Sequence, residues 1–196
     1  MSREISQPVL LRSYKSRGGN EVNCTIAEAG RATSAAPSFF DPIKIGVFEQ
    51  EFVDGATGCN NPIRELLYEA RDIWSDANTR IQCIVSIGTG QPKLRGFGEN
   101  IIDIAKALVK IATETELTAE SFLREHHHLD LSGRYFRFNV TRGMEDIGLE
   151  EYAERPRIAS ATMAYLSGNA VSKNVQECVK LLKGERLQET TSSKSL

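Results

Sequence analysis

The chain has 196 residues, 40% of them hydrophobic, and a formal net charge of −2 from 24 basic and 26 acidic side chains. That length predicts one domain, or most of one, with enough apolar material to bury a core. The even mix of signs argues against a nucleic-acid or anionic-membrane surface, and no apolar run nears the roughly 20 residues that span a bilayer.

The start, Met1-Ser2-Arg3-Glu4, has no apolar signal core behind it, so a cytoplasmic, intracellular protein is expected. Val9-Leu10-Leu11 reads as a short buried strand, continued by Arg12 to Tyr14. Lys15 to Asn23 is polar, carries Gly18-Gly19 and reads as a loop. Thr25 to Ala36 is dense in small residues and predicts a helix that stops before Pro37. Ile43 to Phe48 is extended, and Glu51 to Val53 leads into Asp54.

Asn61 can cap a helix whose first turn holds Pro62. Ile63, Leu66, Leu67, Ala70, Ile73 and Trp74 then follow at helical spacing. Ile81 to Ile87 is nearly all apolar, as a strand covered on both faces would be. Gly96-Phe97-Gly98 is a loop, Ile101 to Ala112 an amphipathic helix, and Thr118 to Glu125 a shorter one. Tyr135 to Val140 alternates like a strand, and Arg142 to Glu150 is loop. Arg157 to Leu166 and Val171 to Leu182 carry helical patterns, with Gly184 stopping the last. From Gln188 onward the chain is a polar tail or linker.

Strands separated by helices predict an α/β fold with a largely parallel sheet flanked by helices. In such a sheet the ends after Val53 and after Ile87 share one edge, where α/β proteins place their chemistry. Asp54, followed by Gly55 and Ala56, could there orient a histidine, act as a general base or hold a metal. It could equally do no more than satisfy turn amides. Gly55 would let another group pass close to the backbone, and Ala56 adds no bulk.

Gly88-Thr89-Gly90 after the second strand could bind phosphate, but Gln91-Pro92-Lys93 does not continue a dinucleotide fingerprint, and a tight turn fits better. A nucleotide-binding domain built on it therefore ranks last. His126-His127-His128 holds every histidine in the chain; three in a row on a helix diverge and make a poor metal site, and their spacing supports no Ser-His-Asp triad. No serine has the G-x-S-x-G setting of a nucleophile elbow. Cys24, Cys59, Cys83 and Cys178 show no paired spacing and read as reduced, buried thiols.

Four blocks match something specific: Ala29-Gly30-Arg31-Ala32-Thr33-Ser34-Ala35-Ala36-Pro37-Ser38-Phe39-Phe40, Phe52-Val53-Asp54-Gly55-Ala56, Asn60-Asn61-Pro62 and Val85-Ser86-Ile87-Gly88-Thr89-Gly90. In order and spacing they resemble the C-terminal half of the patatin-like phospholipase domain, in the style of its fungal members. The likeness runs from about Val9 to Leu182, so residues 1–187 are expected to be the C-terminal part of that domain and 188–196 a tail.

The resemblance implies a lipid acyl hydrolase on an α/β sandwich, using a Ser-Asp dyad with no catalytic histidine, cofactor or metal. It gives Asp54, in the D-G-[GA] motif, the role of proton acceptor, and places Gly88, Thr89 and Gly90 on the site rim. The partner implied is a lipid acyl ester, with peripheral contact with a lipid surface. The family's oxyanion turn and G-x-S-x-G serine lie upstream of the matching blocks and are not in this sequence. A chain with half its dyad is expected to be inactive alone. The competing expectation is a non-catalytic module that binds lipid or protein.

Overall fold

The computed structural model describes residues 1–3, 7–19, 21–37, 39–91, 102–148 and 151–185. The loop expected at Gly96–Gly98 and the tail after Gln188 lie outside these residues. The chain is a mixture of helices and small sheets and divides into two compact units, Met1–Ala77 with Leu94–Phe122, and Asn78–Lys93 with Leu123–Leu196.

In the first unit, helix α1 (Ile26–Thr33) starts at a reciprocal cap. Glu28 N–H donates to Thr25 Oγ1 (3.2 Å), while the Glu28 carboxylate accepts from Thr25 N–H (2.7 Å). The helix ends three residues earlier than expected, with Ser34 as its C-cap. Strands β1 (Ile43–Ile45) and β2 (Gln50–Phe52) pair antiparallel, Ile43 opposite Phe52 and Ile45 opposite Gln50. The link between them is a tight turn in which Gly46 (φ 80°) and Glu49 (φ 49°) take left-handed conformations.

Ala32, Ile45 and Phe52 form the core here, with Val9, Leu11, Val22, Cys24 and Ile43 packed around them. The strand expected at Val9–Leu11 is absent, although its side chains are where the apolar pattern demands. A strand needs a ladder partner as well as a buried face. The neighbour of β2 on that side is instead Met1–Arg3: Ser2 bridges Phe52, and Val53 N–H and Arg3 N–H donate to Met1 O and Glu51 O, each at 2.9 Å.

The segment after Leu11 is tied to helix α3 (Ile63–Ile73) by a bidentate ion pair between Arg12 and Glu69, both largely buried, which Tyr14 joins with a 2.7 Å hydrogen bond to Glu69. The Arg12 hydrogen bonds hold the Glu69 carboxyl down to about 2, from an ordinary 4.5. A folded value below the unfolded one means the pair stabilises fully above the ordinary value and loses its effect as pH falls towards about 2. Arg12→Ala should therefore cost about 1 kcal/mol at neutral pH. In urea melts the gap to the parent chain should close as pH drops through that window; a gap independent of pH contradicts the assignment.

Short helix α2 (Ala56–Cys59) precedes α3, and Pro62 is the N-cap of α3 rather than its first-turn residue. Asn61 still supports the helix start, accepting from Ile63 N–H at 3.4 Å. Helix α4 (Ala77–Arg80) crosses the boundary between the units, as does α5 (Ile102–Glu125). The two helices expected at Ile101–Ala112 and Thr118–Glu125 are one continuous α5, because nothing between them breaks a helix.

In the second unit β3 (Ile84–Ile87) and β4 (Tyr135–Phe138) pair in parallel, Ile84 opposite Tyr135 and Ile87 opposite Phe138. The first three residues of the expected strand, 81–83, are irregular, and Ile87 is 77% exposed, so the run is not covered on both faces. Helix α6 (His127–Leu131) precedes β4, and a 3-10 turn (Tyr152–Glu154) leads into α7 (Arg155–Leu166). Helix α8 (Asn169–Leu182) packs on both α7 and β4 and ends at Gly184 (φ 80°), as its sequence requires.

The expected mixture of α and β structure is found, but not one largely parallel sheet. Among the described residues there are two two-stranded sheets, and only the β3–β4 pair is parallel. The short turn explains the difference: β1 and β2 are joined by four residues, which permits only antiparallel neighbours.

Candidate active site

Asp54 leaves β2 at a sharp corner. Its backbone N–H donates to Ala35 O (2.9 Å), just past the end of α1, and its Oδ1 accepts from Ala56 N–H (2.8 Å). The carboxylate is half-buried and bridges the end of the strand to the first turn of α2. The carboxylate thus satisfies a turn amide, the structural role that the sequence also allowed, and this bond holds it in place at the end of the strand. The amino group of Met1, which donates to Val53 O at 2.7 Å, feels the Asp54 charge; burial lowers its pKa, and attraction to Asp54 opposes that.

Gly55 is in α-helical conformation (φ −66°, ψ −12°), and a Cβ added there would meet open space. The close approach expected at Gly55 is therefore not found among the described residues.

Beside Ala56 opens a cavity of about 190 Å³, bordered by Cys59, Asn60, Asn61, Thr115 and Thr118 and by the charged Arg64, Glu65 and Glu114. Asn60 Nδ2 donates to Thr115 Oγ1 (2.7 Å), and Asn61 Nδ2 to Thr115 O (3.3 Å), so the two asparagines fasten the start of α3 to α5. Burial pushes the Cys59 thiol up, with Glu65 adding to the effect. Such a polar lining suits a small polar group and not a hydrocarbon tail.

Gly88, Thr89 and Gly90 follow β3, in the other unit from Asp54 and on a different sheet. Among the described residues β2 and β3 belong to separate sheets. The turn is held from behind by buried polar groups: Gly88 N–H donates to Phe138 O (2.8 Å), Gly90 N–H to Asn139 Oδ1 (2.8 Å), and Arg137 Nη1 to Ser86 Oγ (3.0 Å). Asn139 N–H in turn donates to the Tyr165 hydroxyl at 3.2 Å. A phosphate cradle presents its amides to a ligand; these two amides are spent on protein acceptors, as the tight turn expected from the sequence requires. Asn139 was not among the expected site residues, although an asparagine following the apolar residues of β4 marks it in the sequence.

His127 and His128 are exposed at the start of α6, and His126 and His128 meet edge to face at 6.0 Å. Among the described residues no three His, Cys, Asp or Glu side chains cluster as a metal site.

Against this geometry, similarity to known proteins is specific. The chain is 32% identical to phospholipase A I of Arabidopsis thaliana over 155 residues, which is 76% of the chain and 12% of that protein. It is 30% identical over 169 residues to calcium-independent phospholipase A2-gamma of Rattus norvegicus, and 29% identical over 169 residues to that of Mus musculus; each match covers 81% of the chain and 20% of the relative. The chain thus spans a fifth or less of the length of these relatives. No family model matches it, and no solved structure does. Among the described residues no helix is long and apolar enough to cross a membrane.

Proposed function

We propose that this chain is the C-terminal part of a patatin-like domain of the fungal type, and that Asp54 is the base of a Ser-Asp dyad that hydrolyses acyl esters of lipids. The observation that carries this reading is the similarity to phospholipases over three quarters or more of the chain. The anchoring of Asp54 between Ala35 O and Ala56 N–H supports it.

In the proposed reaction a serine hydroxyl from a G-x-S-x-G segment outside this sequence attacks the ester carbonyl while Asp54 takes its proton. The tetrahedral oxyanion rests on backbone amides of that segment's glycine-rich turn. Collapse expels the alcohol, which recovers the proton from Asp54, and leaves an acyl-serine. Water then attacks the acyl-serine with Asp54 again as base, freeing the fatty acid. No step needs a cation, which agrees with the calcium independence named for the mammalian relatives. The chain alone should turn over no short-chain acyl ester. Turnover by the chain alone that disappears in Asp54→Ala would reveal a nucleophile within it and overturn this division of the dyad.

One observation favours the second reading, a lipid-binding module. Val47 and Phe48, at the β1–β2 turn, are 92% and 87% exposed. Apolar side chains at a projecting turn suit insertion among lipid headgroups. Replacing both with serine should lower co-sedimentation with neutral phosphatidylcholine vesicles by about tenfold, since two apolar side chains of this size exceed the ~1.4 kcal/mol that a factor of ten requires. Unchanged co-sedimentation would remove this reading.

A further inference from the structure

Cys83 and Cys178 lie 95 residues apart in sequence, yet their Sγ atoms are 3.9 Å apart. Both belong to the second unit. Cys83 stands immediately before β3 and is half-buried; Cys178 lies on α8 and is 5% exposed. The backbone around Cys83 is pinned: Ile84 N–H donates to Arg134 O (2.7 Å), and Arg134 Nη1 donates to Ile81 O (2.9 Å). Cys178 is carried by the middle of a 14-residue helix packed on β4. The two sulfurs thus meet by construction of the fold, and side-chain rotation over about 2 Å would bring them to bonding distance.

Two thiols with no third His, Cys, Asp or Glu beside them, among the described residues, do not make a zinc site. They make a dithiol. We infer that Cys83 and Cys178 are a redox-modification site that closes to an intramolecular disulfide under peroxide and reopens with a thiol reductant, fastening α8 to the root of β3.

The chemistry balances with peroxide as oxidant. The Cys83 thiolate attacks one peroxide oxygen, the O–O bond breaks, and water and a Cys83 sulfenic acid result. The Cys178 sulfur then attacks the Cys83 sulfur; the S–S bond forms, the S–O bond breaks, and a second water leaves with the Cys178 proton. Burial and the neighbouring Cys178 push the Cys83 thiol up to about 11, so Cys83 rests as a thiol and the disulfide closes slowly. Cys83 is the sulfur that oxidant reaches first, because Cys178 is covered. Disulfide closure across so long a chain separation removes much freedom from the unfolded state. This inference is independent of the proposed hydrolase activity.

The test treats the folded full chain with excess hydrogen peroxide, blocks remaining thiols with N-ethylmaleimide and maps tryptic peptides. The expected product is monomeric protein in which peptide 81–93 is joined to peptide 174–180 and separates again with dithiothreitol. Its melting temperature should rise by roughly 5 °C and fall back on reduction. Cys83→Ser should abolish both the linked peptide and the rise. Oxidation that stops at a Cys83 oxyacid, linkage that instead involves Cys24 or Cys59, or a linked protein with unchanged melting would overturn the inference. The wild-type mapping decides the matter even if a variant fails to fold.

Discussion

Phe52→Ala should destabilise the first unit by about 3–5 kcal/mol. Phe52 is 1% exposed, and its core neighbours Ala32 and Ile45 are the remaining fully buried members of that cluster. Ala32 sits on a helix and Ile45 on the paired strand, so neither can move in to fill the void. The lost stabilisation therefore includes most of the cavity cost as well as the transfer cost. Phe52 is also two residues before Asp54, and the same strand end carries the bridge to Ser2 and the hydrogen bond from Asp54 N–H to Ala35 O. Urea unfolding should show a lower midpoint for Phe52→Ala and a far smaller change for Phe52→Leu, which keeps most of the volume. A loss under about 1 kcal/mol for Phe52→Ala would show that this residue is not the centre of the core.

Gly88→Ala should be nearly as damaging, at about 2–3 kcal/mol. An added Cβ would strike the Asn139 carboxamide, with Cγ at 2.6 Å, and come within 2.9 Å of Arg137 Nη2. Asn139 is short and buried, and it is held by the hydrogen bond from Gly90 N–H, so yielding to the new methyl breaks that bond. The effect should be read by thermal unfolding. The double variant Gly88→Ala, Asn139→Ala should recover part of the loss through removal of the clash; a double variant that is simply additive would refute the contact.

Much of this was legible in the residues. Helix α8 announced both its apolar stripe and its glycine stop, and α3 its spacing from Ile63 to Ile73. The helix beginning near Thr25 was equally expected, and so was the end of β2 at Asp54, whereas the Thr25–Glu28 cap emerges only in the structure. What the residues did not reveal was pairing. A strand's apolar pattern says which face is buried but not which neighbour it finds. Val9–Leu11 met the burial requirement without a ladder, and β2 turned back on β1 instead of joining β3. The closeness of Ile43–Ile45 and Gln50–Phe52, with Gly46 between them, was the hairpin signal that settles this locally. Long-range meetings were hidden for a different reason. Arg12 with Glu69, and Cys83 with Cys178, are brought together by the fold and leave no spacing rule in the chain.

The candidate site divides the same way. The D-G-A motif picked out Asp54, and the structure describes its two backbone anchors. The tight turn expected at Gly88-Thr89-Gly90 is found, its Gly88 and Gly90 amides bonded to Phe138 O and Asn139 Oδ1, partners that no spacing in the chain reveals.

In the proposed reaction Asp54 takes the proton of a serine. It is tested by phospholipid hydrolysis in this chain fused behind the G-x-S-x-G-bearing N-terminal half of a patatin-like domain, compared with the same fusion carrying Asp54→Asn. Fatty-acid release should fall at least about 10³-fold in Asp54→Asn, because an isosteric amide cannot accept the serine proton. Release that continues undiminished in Asp54→Asn would contradict it.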